Sequence, residues 1–463
     1  MATLNKVASR PAEKNHEGVV AARINPEQLL RRSVMACLLW EDSFYEDGKT
    51  IAERIAALVK DVKPEVVAAI AVEARTRRKL RHVPLLIVRE MARLATHKHL
   101  VAKTLYEVVQ RPDELTEFCA IWQKDQGGKP LSKSLSAQAK KGLAAAFGKF
   151  DEYALAKYNR DGAVKLRDVL FLCHAKPKAE GAGTAVERKG KDGKARTVVR
   201  HEGTLLGKVV AGTLATPDTW EVALSGGADK KAAFERLMAE KKLGALAFVR
   251  NLRNMSEAKV DLDLVRSYAA TVPADRVLPF RFVAAARAVP AWESVVEGMM
   301  LRCLAGQERL PGKTVLLIDT SPSMAAKLSA KSDLTRKDGA MAVAILLREL
   351  CDVEVVAFSQ EVKTVPDRHG FALGDAIRDA VPSNGTLLGK AVAAVSGRYD
   401  RLIVITDEES QDAVGKPDAG KKSYMVNVST EKHAVGFGDW VRVNGWSEAI
   451  IDFIRVYEQE VAG

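Results

Sequence analysis

Cysteine is scarce and scattered. The five in 463 residues, Cys37, Cys119, Cys173, Cys303 and Cys351, show no CxxC spacing and sit in apolar, helix-like contexts. Neither a disulfide framework nor a structural zinc site is indicated, and a reducing compartment fits best. Long apolar runs are missing too: nowhere do about 18 uncharged apolar residues follow one another. The N-terminal Met1 to Lys6 lacks the apolar core of a signal peptide, so the expectation is a cytoplasmic protein with no membrane association. Signatures of catalysis are equally thin. No GxSxG elbow occurs, and Cys351 at the end of an apolar helix reads as core rather than nucleophile. His97-Lys98-His99 has neither HExxH spacing nor nearby cysteines, and a His beside Lys is expected to face solvent. Gly306 to Thr314 looks like a phosphate-binding loop, but five residues separate Gly306 from Gly312, and a strand, not a helix, follows Lys313. No enzymatic activity is expected.

What is present is apolar mass and an uneven charge. With 47% apolar residues, the chain can fill the cores of two or more domains. Its net charge of +12 is not shared evenly: residues 301–463 carry 20 basic and 23 acidic side chains, leaving residues 1–300 with a net +15. A polyanion-binding module joined to a near-neutral one has this distribution.

From Asn25 to about Cys303 the apolar period is helical, as in Ile51 to Val59, Glu65 to Ala74, Leu85 to Ala95, Leu100 to Val109, Leu135 to Phe147 and Val283 to Val289. Pro64, Pro84, Pro112, Pro217 and Pro290 stand near expected helix starts. Successive short helices suggest stacked antiparallel pairs, an α-solenoid of HEAT-like repeats. Lys176 to His201 is Gly-rich, charged and poor in apolar residues, and reads as a mobile surface loop. After Pro311 the pattern becomes strand, helix, strand. The expected strands are Thr314 to Asp319, Val353 to Ser359, Arg401 to Asp407 and Ser423 to Val428. The expected helices are Leu334 to Leu350, Ala372 to Ala380, Leu387 to Ser396 and Ser447 to Glu458. This is the pattern of a doubly wound parallel α/β sheet. The expected domains are 1–304 and 305–463.

The junction Asp319-Thr320-Ser321-Pro322-Ser323 closes the first of those strands. It presents hard oxygen ligands at the carboxyl edge of a parallel sheet, where α/β folds bind ligands. Alone, an Asp and two Ser could be a helix-capping loop. Asn384-Gly385-Thr386 adds a hydroxyl before a helix, and Arg401 to Asp407 is a second apolar strand ending in an acid. Asp319, Ser321, Ser323, Thr386 and Asp407 form an all-oxygen set suited to Mg²⁺ or another divalent cation. Their order and spacing resemble the metal-ion-dependent adhesion site of von Willebrand factor A domains. In that family the hydroxyls bind the metal directly and the carboxylates mostly through water, leaving it electrophilic toward a partner's acidic side chain. Pro322 departs from the pattern, which usually has a small residue there. It removes a backbone donor and biases Ser321 toward extended geometry.

A helical repeat followed by such a domain resembles the TROVE family of Ro ribonucleoproteins, in its bacterial type. The segments carrying the likeness are Leu29 to Tyr45, Asp168 to Pro177, Thr219 to Ser225, Leu243 to Met255 and Arg276 to Arg281. The resemblance implies a ring of HEAT-like repeats closed by the A domain. A basic central hole would admit single-stranded 3′ ends of misfolded structured RNA, and the outer surface would hold a small noncoding Y-like RNA, in RNA quality control or decay. It implies no catalysis. The family's Lys and His on the Y RNA surface match Lys157 and His174, 17 residues apart. Its Arg four residues after the Lys does not match, since Asp161 stands there and Arg160 one step earlier. Arg75, Arg77, Arg78, Lys79 and Arg81 form the densest basic cluster, readable as phosphate contacts or as a solvated helix end. An alternative is a Mg²⁺-dependent protein-interaction scaffold without RNA function. A third reading, an RNA-processing enzyme, lacks the acid or histidine clusters it needs, whereas recruitment of a ribonuclease through the metal would connect the chain to decay.

Overall fold

The computed structural model describes residues 25–36, 48–124, 130–176, 184–189, 195–200, 203–275, 277, 279–305, 307–328, 334–428, 439–444 and 449–461. They fall into two compact units, one of Ala52–Ala233 and one of Met1–Ile51 with Phe234–Gly463. The change from helical to strand pattern comes where the sequence places it, between the helix Glu293–Leu304 and a first long strand at Leu310. The compact units cut the chain elsewhere than at residue 305, because the helices after Phe234 cluster with the sheet.

In the unit Ala52–Ala233, the helices Pro64–Thr76, His82–Arg93, Lys98–Val108, Pro112–Gln123 and Ala137–Phe147 pack against one another as neighbours. Pro64 and Pro112 occupy first helical positions, where the missing N–H is not needed. Gly142 sets one helix spacing: a Cβ there would lie 2.9 Å from both the Ala102 carbonyl oxygen and Leu105 Cβ. The expected loop over Lys176 to His201 is corrected in part. Thr184–Lys189 (β1) and Ala195–Arg200 (β2) pair antiparallel, so the backbone polar groups of this apolar-poor stretch bond to each other. His97 is a second correction: it is only 2% exposed. Burial lowers its pKa, and its Nδ1 lies 2.9 Å from the Thr96 hydroxyl.

The other unit is built on a six-stranded sheet. Its strands are Leu310–Asp319 (β3), Cys351–Phe358 (β4), Val362–Thr364 (β5), Arg401–Thr406 (β6), Lys422–Asn427 (β7) and Val441–Asn444 (β8). The order is β5-β4-β3-β6-β7-β8, with only β5 antiparallel to its neighbour. β3 from Thr314 on and all of β6 are buried, so both read as unbroken apolar runs. The helix Leu388–Val395 packs Leu388, Ala391, Val392 and Val395 onto one face with Val315, Leu317, Val404 and Met425. Arg336–Leu350 packs against β3 and β4. Its start is fixed by a capping box, in which the Asp338 N–H donates to Thr335 Oγ1 at 3.1 Å and the Thr335 N–H to Asp338 Oδ2 at 2.7 Å. The chain leaves β3 toward β4 and β5, then returns to the other side of β3 as β6. The topological switch point therefore lies at the carboxyl end of β3.

Cys351 opens β4, buried as expected, with its thiol donating to the Leu347 carbonyl and its pKa raised by burial. The strands β5 and β8 were not foreseen; both are short and peripheral.

Candidate functional site

Asp319 ends β3 at the switch point and is fully buried, as are Ser321 and Asp407; Thr386 is 5% exposed. The Ser321 N–H donates to Asp319 Oδ1 at 2.8 Å, and the Thr406 hydroxyl donates to Oδ2 at 2.6 Å. Burial pushes the Asp319 carboxyl up to about 6; the Ser321 and Thr406 hydrogen bonds pull the other way, and the Asp407 charge adds to the rise. Asp319 and Asp407 thus stand at the same edge, at the ends of the neighbouring strands β3 and β6.

Pro322 opens a 3₁₀ turn, Pro322–Ala325, and Ser321 is extended at φ −56°, ψ 163°. The proline bias foreseen for Ser321 is present, and it brings the Ser321 and Ser323 hydroxyl oxygens to 3.1 Å. The two hydroxyls hydrogen-bond to each other at that distance, and it is close to the edge of about 2.8–3.0 Å of an octahedron with metal–oxygen bonds of about 2.0–2.1 Å, so the same spacing suits two adjacent Mg²⁺ ligands. Thr386 is tied to the same edge on both sides. Its carbonyl accepts the Gln411 N–H at 2.9 Å, and the Leu387 N–H donates to the carbonyl of Ser359, just past β4, at 2.8 Å. Gly385 before it takes φ +134°, which an L side chain resists. Among the described residues no three His, Cys, Asp or Glu side chains gather to hold a metal, so a cation here depends on the hydroxyls. The donor set of three hydroxyls and two carboxylates fits a hard divalent ion.

Two participants escaped the sequence. Thr406 was legible only as the last strand residue before Asp407. Arg336 had no signal: its Nη1 donates to Asp407 Oδ2 at 3.2 Å, with the Arg side chain 16% exposed.

The basic cluster is largely paired within the protein. Arg75 is buried against Glu114, which also accepts the Gln110 N–H at 2.7 Å. Arg78 meets Glu73 at 2.9 Å. Arg81 binds Glu117 through Nε at 2.9 Å and Asp113 through Nη2 at 2.5 Å. Burial opposes ionisation of Glu117, but His82 and Arg81 outweigh it and hold the carboxyl below its ordinary value. Arg77 and Lys79 are exposed, and Lys79 takes a left-handed φ of 58° with its ammonium on the Thr76 carbonyl.

Arg81 is connected to the second expected site. Asp113, which it holds, also accepts from Arg111 Nη2 at 2.5 Å, and the Arg111 guanidinium lies 4.5 Å from the Tyr158 ring centre. Lys157 sits 5.9 Å from the same ring. Arg160 is exposed, and so is His174, the left-handed C-cap of Leu166–Cys173 at φ 53°. Asp161 is exposed and paired with Lys165 at 2.7 Å, which offsets its charge beside Lys157. The Arg160 N–H donates to the Tyr158 carbonyl at 3.0 Å.

No helix among the described residues is long and apolar enough to cross a membrane. The solved structure of the Deinococcus radiodurans Ro (RSR) protein matches at a TM-score of 0.63 with 16% identity, covering 94% of this chain and all of that one. It shares the fold: a helical HEAT-like part and a doubly wound α/β part of the von Willebrand factor A kind. The TROVE domain family model matches residues 17–202 and 207–383, running from the helical part past the first three strands of the sheet. By that match over most of its length, the chain belongs to the TROVE domain family.

Proposed function

We propose that this chain is an RNA-binding protein of the bacterial Ro type. It holds a Y-like noncoding RNA on its outer surface and single-stranded 3′ ends of misfolded structured RNA in a central cavity, for RNA quality control or decay in the cytoplasm. The observation that carries the reading is the charge split: a family member whose residues 1–300 hold a net +15 while the remainder is slightly acidic. Phosphates supply affinity through Lys and Arg, and shape and unpaired ends supply selectivity. The exposed Arg77, Lys79 and Arg160 and the half-buried Lys157 are the proposed phosphate contacts, with the exposed His174 beside them in the expected set. Arg75, Arg78 and Arg81 act mainly through their carboxylate partners.

The sheet-edge site is proposed to take Mg²⁺ on Ser321, Ser323 and Thr386, with Asp319 and Asp407 behind them. A bound cation supplies an electrophilic position for an acidic side chain of a protein partner, such as a ribonuclease. This chain's own residues hold and orient; none is proposed to break or form a covalent bond.

The test is purification followed by binding to one structured RNA with and without a single-stranded 3′ tail, for the wild type and for Arg77→Glu with Lys79→Glu. Preference for the tail, weakened in the variant, supports the reading. Absence of any RNA binding at low salt turns it over to the scaffold reading. That second reading is favoured by a specific observation, the internal pairing of Arg75, Arg78 and Arg81.

A further inference from the structure

Large apolar side chains standing in solvent are few. Among the described residues of the unit Ala52–Ala233 they are Tyr106, Tyr153 and Phe171, exposed by 43%, 47% and 52%. All three are aromatic, and each has a cation at its ring. Lys149 Nζ lies 4.8 Å from the Tyr106 centroid, Lys157 Nζ 5.7 Å from Tyr153, and Arg167 Cζ 5.6 Å from Phe171. Two of the three belong to one strip. Lys149 donates to the carbonyls of Tyr106 at 2.9 Å and Val109 at 2.5 Å. Two residues past Val109, Arg111 lies over Tyr158, and Lys157 lies between Tyr158 and Tyr153.

We propose that this strip, Tyr106, Lys149, Arg111, Tyr158, Lys157 and Tyr153, is a platform on which unpaired bases of a single RNA strand stack. The tyrosine rings take base faces, and the ammonium and guanidinium groups beside them take the flanking phosphates. The proposal rests on the RNA-binding reading and adds that this surface engages bases as well as charge. Alternation of flat rings with cations suits a polymer that alternates flat bases with phosphates, and every base has a face to stack, so the platform tolerates sequence. An acidic protein would use the cations but leave the rings in water. Two nearby carboxylates are engaged by cations, Asp113 by Arg81 and Arg111 and Glu152 by Lys208 at 2.6 Å, while Asp151, Asp218 and Glu221 also stand near Tyr153. The strip continues to Arg81 through Asp113, which places part of the expected basic cluster beside it.

The experiment is fluorescence anisotropy with the full chain and three labelled ligands: a 12-nucleotide uridine strand, its abasic counterpart with the same phosphates, and a blunt duplex. The wild type should hold the base-bearing strand about 10-fold or more tighter than the abasic one. Tyr106→Ala with Tyr153→Ala should lose about that factor on the base-bearing strand and leave the abasic strand unchanged, while Tyr106→Phe with Tyr153→Phe retains wild-type binding. Equal losses on both strands, or no preference for bases in the wild type, would overturn stacking and leave RNA binding standing. If the wild type binds none of the three, the RNA reading itself fails.

Discussion

The placement of Asp319 and the hydroxyls after it at the end of a buried strand was legible, because an apolar run that stops at an acid and two serines marks a sheet edge. Their geometry gives two expectations. If the site takes Mg²⁺ as proposed, Ser321→Ala should weaken Mg²⁺ binding at least about 10-fold by isothermal titration calorimetry, since a proposed direct ligand is lost. Arg336→Ala should tighten it several-fold, because the guanidinium now offsets the Asp407 charge that a cation would offset. Unchanged affinity in both variants would place the ion elsewhere. Arg336 was not legible, since 71 residues separate it from Asp407. Nor was the burial of Arg75, whose partner Glu114 lies 39 residues on. A basic run looks the same in sequence whether its charges meet water or carboxylates. Glu458 makes a further residue-scale case. Burial opposes its ionisation, but hydrogen bonds and charge from Arg401 and Lys422 prevail and hold it below its ordinary 4.5. A depressed carboxyl stabilises the fold above its unfolded pKa, and that contribution is lost as pH falls through the lower folded value. Glu458→Gln leaves the buried Arg401 without its counter-charge and should cost about 3 kcal/mol at pH 7. In urea titrations the gap to wild type should narrow below pH 4.5; a gap constant down to pH 3 would contradict the linkage.

At the scale of elements, the buried parallel strands β3, β4, β6 and β7 and the helices between them stood out, since their apolar runs and caps agree. The hairpin β1-β2 did not. Its strands lie in a charged, Gly-rich stretch whose composition resembles a solvated loop, and Thr197-Val198-Val199 was too short a β-favouring run to outweigh it. The three-residue β5 and four-residue β8 lack the length for any pattern to show. Where elements meet, glycine is decisive. A Cβ at Gly389 would lie 2.0 Å from the Ala413 carbonyl oxygen, forcing the helix Leu388–Val395 away from the segment that follows Asp407. Gly389→Ala should cost about 1–3 kcal/mol and, if Thr386 is a Mg²⁺ ligand as proposed, weaken Mg²⁺ binding. A wild-type melting temperature and wild-type Mg²⁺ affinity together would show that the segment yields freely.

For the whole molecule, the charge counts set a basic residues 1–300 against a slightly acidic remainder. The helix Pro26–Ala36 packs against the C-terminal helix Ala449–Val461, a pairing of chain ends that no local pattern announces. The charge asymmetry makes the central claim quantitative, because each phosphate neutralised by a Lys or Arg adds to the slope of log affinity against log salt. The most direct measurement is the affinity of the full chain for one structured RNA, with and without a single-stranded 3′ tail, followed from about 50 to 200 mM salt. The account predicts tighter binding of the tailed RNA at every salt concentration and a linear fall with a slope of several counterions. Equal affinity for the two RNAs with a flat salt response would contradict it.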